Sequence, residues 1–152
     1  DYATFVESRA PQARALAGPI VDQAGHVLGR HAGLHHFTVG QRRGLGLAAS
    51  HPLYVLRLEP ETHTVVVGEE RALSATTLDA RNVHWISGQA PRETLRAAVK
   101  IRSRAPASSA TLAPLGPDRV RVTFDQAQRA ITPGQAAVFY EGDICLGGGW
   151  II

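Results

Sequence analysis

From residue 95 to residue 104 the chain alternates strictly. Arg96, Lys100, Arg102 and Arg104 fall on one face, and Ala97, Val99 and Ile101 on the other. A period of two belongs to a strand with one face buried; on a helix these side chains would scatter around the axis. The rhythm returns at residues 119–124, where Arg119, Arg121 and Thr123 oppose Val120, Val122 and Phe124. Residues 111–115 and the turn Gly116-Pro117-Asp118 lead into it, and residues 80–85 read as a further strand. Residues 136–140, the turn Glu141-Gly142-Asp143 and residues 144–146 form a last hairpin running into Gly147-Gly148-Gly149. Short strands punctuated by turns at this spacing predict a small antiparallel β-barrel over residues 78–152.

The front half is more mixed. Tyr2, Phe5 and Val6 recur at helical spacing until Pro11, so residues 1–10 read as the end of a truncated helix. Residues 18–31 read as a hairpin around Asp22-Gln23-Ala24-Gly25, and the glycine-rich stretch 33–47 has room for a short helix. Strands at 53–58 and 64–68 flank the turn Glu59-Pro60-Glu61-Thr62, and a polar helical turn follows near 69–73. The expectation is therefore a mainly β chain: a small β-rich domain with a short helix over residues 1–77, then the barrel over 78–152. With 152 residues, 44% of them hydrophobic and 19% charged, the chain has enough apolar material for packed cores and too little charge for disorder. No run approaches the ~18 apolar residues of a membrane helix, and the single cysteine, Cys145, allows no internal disulfide; a cytoplasmic, membrane-free protein is expected. The chain contains no methionine and opens Asp1-Tyr2-Ala3, which suggests a piece of a longer protein.

Charge is concentrated at the back. Residues 1–76 carry seven Arg against seven acids, whereas residues 77–152 carry nine Lys and Arg against six acids, the whole net charge of +3. Within residues 95–125 there are six basic residues against two Asp. Two strand faces bearing one sign of charge suit a phosphate backbone, and the Arg bias suits phosphate geometry. Two plainer accounts compete: an outer face whose arginines pair with acids from elsewhere, and a GC-rich genome that favours Arg over Lys. Arg42-Arg43, between Gly40 and Gly44, make a second basic point on a tight loop.

Other chemistry is thin. His31 and His35 have the i, i+4 spacing of zinc ligands, with His36 adjacent, but Gly33 lies between them and no acid or cysteine accompanies them. No metal site is expected. Cys145 has no basic neighbour within three positions and reads as a buried, inert thiol. The glycines at 147–149 lack the Lys-Ser/Thr ending of a nucleotide loop; close backbone packing at a strand end explains them. Thr132-Pro133-Gly134-Gln135 fits a type II turn displaying the Gln135 amide, which could touch nucleic acid or simply close a turn. No catalytic constellation emerges.

Three stretches resemble one family. Residues 18–46, with Gly18-Pro19-Ile20-Val21-Asp22 and Phe37-Thr38-Val39-Gly40-Gln41-Arg42-Arg43-Gly44-Leu45-Gly46, are similar to the central-domain signature of bacterial tRNA-specific 2-thiouridylases. Ala130-Ile131-Thr132-Pro133-Gly134-Gln135 through Tyr140, and Cys145-Leu146-Gly147-Gly148-Gly149, resemble the C-terminal ending of that family. Lys100-Ile101-Arg102 is similar to its basic strand, and the resemblance runs in order from about residue 13 to residue 152. It implies a parent enzyme, a tRNA-uridine 2-sulfurtransferase, that uses ATP with Mg to adenylate C2 of the wobble uridine. A sulfur-donor protein then feeds a cysteine persulfide that makes 2-thiouridine.

The family's Ser-Gly-Gly-x-Asp-Ser loop and catalytic cysteines have no counterpart here. The resemblance thus implies central and C-terminal domains that bind tRNA, hold no cofactor and are inactive alone. It carries tRNA contacts onto Arg102, Ser103 and Gln135, although the family usually has an aromatic residue where Ser103 stands. Lys100, Arg104, Arg42 and Arg43 join them on pattern alone. The competing expectations are a free-standing RNA-binding barrel of translation-factor type and a small metal enzyme built on the histidines.

Overall fold

The structure, a computed structural model, describes residues 17–152, so the expected opening helix lies outside the described residues. The chain divides into two compact units between Leu73 and Ser74.

In the first unit, β1 (Gly18–Val21), β2 (Val27–His31), β3 (Tyr54–Glu59) and β4 (Thr64–Gly68) form one sheet in the order β2-β1-β4-β3. β1 and β4 run parallel and the other pairs antiparallel. The run Thr64-Val65-Val66-Val67-Gly68 is buried at every position, as a central strand covered on both faces must be. Ile20, Leu34, Phe37, Leu45, Val55, Val65 and Val67 make the core. The expected short helix is a single 3-10 turn at Leu34–His36, and a second 3-10 turn, Glu70–Leu73, stands where the polar helical turn was expected.

The second unit is a closed barrel. β5 (Ser74–Trp85), β6 (Leu95–Lys100), β7 (Ser108–Pro114), β8 (Val120–Arg129), β9 (Ala136–Glu141) and β10 (Ile144–Ile151) close in the order β10-β5-β8-β7-β6-β9, all antiparallel. Closure leaves no strand edge to aggregate. The alternation works as read: Ala97, Val99, Val120, Val122 and Phe124 are all buried, and Phe139 fills the interior with its ring 5.5 Å from that of Trp85. Among the described residues no helix is long and apolar enough to cross a membrane.

Three readings need correction. The strand expected over 95–104 ends at Lys100, because Ser108 of β7 already pairs with Val99 and the hairpin must turn there. Ile101 still tucks into the core, but Arg102 and Arg104 lie in the turn that follows, closed by the Ala105 N–H donating to the Arg102 carbonyl at 3.3 Å. The glycines at 147–149 lie inside β10, not after it. Gly147 has φ +151°, and a Cβ there would stand 2.2 Å from the carbonyl oxygen of His84; at Gly148 it would meet that of Ala137 at 2.7 Å. Backbone crowding from β5 and β9 is what demands glycine. Cys145 is exposed, not buried, because it sits near the mouth of the β9–β10 hairpin beside a register shift.

Candidate nucleic-acid interface

β6 and β9 are neighbours in the barrel, with Ala98 opposite Tyr140 and Lys100 opposite Val138. Beyond that pairing, β6 breaks into the 101–105 turn, and β9 is entered through the turn at 132–135. The divergence of the two turns opens a cleft of about 750 Å³. Its polar lining is Lys100, Arg102, Ser103, Arg104 and Gln135, and its apolar and aromatic lining is Ile101, Ala136, Val138 and Tyr140. No acidic residue lines it. Five residues singled out in the sequence therefore share one concave surface.

The Gln135 turn has the type II geometry. Gly134 has φ +84°, and the Gln135 N–H donates to the Thr132 carbonyl at 3.2 Å. Gly134 N–H donates to the Ile151 carbonyl (2.8 Å), and Ile151 N–H donates to that of Gln135 (2.9 Å), pinning the turn to the end of β10. Arg102 steadies it from the other side. Its Nη2 donates to the carbonyls of Arg129 and Ala130, the latter at 2.6 Å, and the same Ala130 oxygen accepts from Thr132 Oγ1 at 3.0 Å. Ala130 holds φ +51°, a left-handed conformation that costs a non-glycine residue about 1–2 kcal/mol. Arg102 is thus both a cation lining the cleft and a brace for the bend that leads to Gln135. Among the described residues, the side chains of Lys100, Ser103, Arg104 and Gln135 make no hydrogen bond or ion pair, so their polar groups are available to a ligand.

The two basic rows do not form one track. Arg96 donates from both Nη atoms to Asp125, at 2.7 Å through Nη1, and Arg121 donates through Nε and Nη2 to Asp79, both at 2.8 Å. The hydrogen bonds from Arg121 hold the half-buried Asp79 carboxyl below its ordinary value, and those from Arg96 do the same for Asp125. Pairing with acids accounts for Arg96 and Arg121, while Lys100, Arg102 and Arg104 converge on the cleft.

Arg42 and Arg43 belong to the first unit and are exposed. Their loop is knotted by Gln41, whose Oε1 accepts from Thr38 N–H (3.0 Å) and whose Nε2 donates to the Arg43 carbonyl (2.9 Å). Among the histidines, His31 is buried and its Nε2 lies 2.9 Å from the His63 carbonyl; desolvation pushes its pKa down. Among the described residues no three His, Cys, Asp or Glu side chains group as metal ligands would.

Sequence reasoning passed over Tyr140. The signal was present: on β9, Ala137 and Phe139 point inward, so Val138 and Tyr140 must face out, one strand away from the basic face of β6.

Two family models match the chain. One, described as an aminomethyltransferase β-barrel domain, covers residues 75–151; the other, a tRNA methyl transferase PRC-barrel domain, covers residues 3–69. Similar curated proteins include the tRNA-specific 2-thiouridylase of Paramagnetospirillum magneticum, 52% identical over 99% of this chain and 40% of its own length. That of Solibacter usitatus is 50% identical, over 99% of the chain and 43% of its own length. The chain belongs to the tRNA-specific 2-thiouridylase family. It spans about two fifths of the length of the 2-thiouridylases it matches. The enzyme from Halothermothrix orenii is 41% identical over 99% of the chain.

Proposed function

We propose that this chain is the tRNA-holding part of a 2-thiouridylase, and that the cleft between the 101–105 turn and the Gln135 turn is where it grips RNA. The observation that carries this is the convergence of Lys100, Arg102 and Arg104 on one concave, acid-free surface beside the amide of Gln135. Three cations on such a surface attract phosphates and gain by releasing the counterions condensed on RNA. Gln135 offers both a donor and an acceptor, fixed in place by its pinned turn, and Ser103 adds a hydroxyl.

On this reading the chain positions tRNA and makes no bond itself. The parent would bring the wobble uridine to a catalytic centre built from residues elsewhere. The chemistry of the family asks for ATP with Mg and for sulfur from a donor protein. The glycine run at 147–149 is not a phosphate loop, since it is packed against the backbones of β5 and β9. The parent would work in the cytoplasm, where tRNA is.

The test is binding of tRNA by the chain across a salt series, comparing wild type with Arg102→Ala and Gln135→Ala. The expected result is micromolar or weaker binding that falls as salt rises. Arg102→Ala should lower both affinity and salt sensitivity, and Gln135→Ala affinity alone. Binding that is absent, or indifferent to salt and to both substitutions, would remove the basis of this reading.

A further inference from the structure

We propose that Tyr140 is a stacking platform for an unpaired nucleobase. The inference rests on the RNA reading above and narrows it, from a track for phosphates to a seat for a splayed-out nucleotide. The lining combines two chemistries: cations and an amide from Lys100, Arg102, Arg104 and Gln135, and apolar or aromatic surface from Ile101, Ala136, Val138 and the Tyr140 ring. A phosphate gains nothing from apolar surface, whereas a base needs it.

The ring is open to such a guest. Its partners across the strands are small, Ala98 on β6 and Cys145 on β10. Among the described residues no aromatic ring packs on Tyr140 and its hydroxyl makes no hydrogen bond. Tyr140 is only half-buried, which leaves its hydroxyl to water or to a ligand. Lys100 stands diagonally across from it, two residues beyond Ala98 on the same outer face. Diagonal neighbours in a sheet are roughly 7–8 Å apart, so a phosphate held by Lys100 leaves its base within reach of the ring. A paired RNA helix keeps its bases stacked inside and cannot offer one; loops, bulges and ends can.

The test titrates the 152-residue chain with fluorescently labelled tRNA and, separately, with a fully paired RNA duplex, for wild type, Tyr140→Phe, Tyr140→Trp and Tyr140→Ala. Thermal melts check that each variant folds. Stacking predicts that Tyr140→Ala weakens tRNA binding about 5- to 150-fold with an unchanged salt slope, because no phosphate contact is lost. Tyr140→Phe and Tyr140→Trp should stay within about twofold of wild type or bind more tightly, and duplex binding should not respond to any of them. If Tyr140→Ala does not fold, the Trp and Phe variants decide: loss of tRNA affinity in either overturns the platform. Equal losses for Phe and Ala assign the contact to the hydroxyl instead, and an equal loss on duplex assigns it to backbone; both overturn the proposal. Salt-sensitive tRNA binding that ignores Tyr140→Ala removes the platform and leaves the RNA reading standing. No tRNA binding by wild type removes both.

Discussion

Lys100 and Arg104 offer the cleanest probe of the cleft, because neither is engaged by another side chain or carbonyl among the described residues. Arg102 is a poorer probe: its Nη2 braces the carbonyls of Arg129 and Ala130, so its removal also loosens the bend that leads to Gln135. The double variant Lys100→Ala/Arg104→Ala takes away two of the three cations that line the cleft and leaves the brace intact. Each phosphate neutralised contributes about 0.7 to 0.9 to the slope of log affinity against log salt, so three cations give a slope of roughly −2 to −3. Raising salt from about 50 to 200 mM should then weaken wild-type binding of tRNA about 20- to 40-fold, and binding of the double variant only about threefold. Fluorescence anisotropy with labelled tRNA reads both curves directly. Neither substitution strands a buried partner, so the melting temperature should barely change. A double variant that keeps the wild-type slope would mean that the phosphates are held elsewhere. Repeating the measurement with Arg42→Ala/Arg43→Ala would then ask whether the first unit holds them.

Other expectations concern the scaffold. Gly147→Ala should destabilise the barrel by about 3 kcal/mol or more, since the new methyl would stand 2.2 Å from the His84 carbonyl oxygen at φ +151°; denaturant unfolding showing a loss under about 1 kcal/mol would contradict the crowding. Phe139→Ala, which empties the largest fully buried side chain, should cost about 3–5 kcal/mol by the same measurement, and a small loss would mean the interior collapses readily. Burial lowers the folded-state pKa of His31 below its ordinary 6.5, with Arg30, His36 and His63 adding positive charge nearby when they are protonated. Its contribution to stability is therefore complete above about pH 6.5 and is lost as pH falls through the lowered value, because the unfolded chain binds the proton first. Melts between pH 8 and 5 should show this slope reduced in His31→Gln, which keeps a donor for the His63 carbonyl; an unchanged slope would refute it.

The barrel was legible because a period of two survives wherever a strand has one wet face. Residues 120–124 and 137–139 alternate in burial as their apolar positions demand. Burial of β4 at every position was harder to read, since three consecutive valines fit a covered strand without saying what covers it. Pairing of the strand arginines with acids from elsewhere was one of the accounts the sequence allowed, but which arginines pair, and with what, was not legible. The partners of Arg96 and Arg121, Asp125 and Asp79, lie 29 and 42 residues away along the chain; the first meets Arg96 through the pairing of β6 with β7 and of β7 with β8, the second meets Arg121 through that of β5 with β8. Counting charge along the sequence could not separate arginines already neutralised from those left over.

The stretch 95–104 went wrong in an instructive place. Alternation continued past Lys100 in the sequence, because Ile101 does point inward, yet the backbone had to turn so that Ser108 could return beside Val99. Had the strand run on, Arg102 and Arg104 would have stood on the same outer face as Arg96. The turn takes them off that face and into one cleft with Gln135 and Ile101. Local regularity fails where a site is built, since a concave surface needs strands that stop pairing and turns that diverge. The departure from the period-two pattern is therefore the structural origin of the cleft, and it makes Lys100, the last residue of β6, the hinge between scaffold and site.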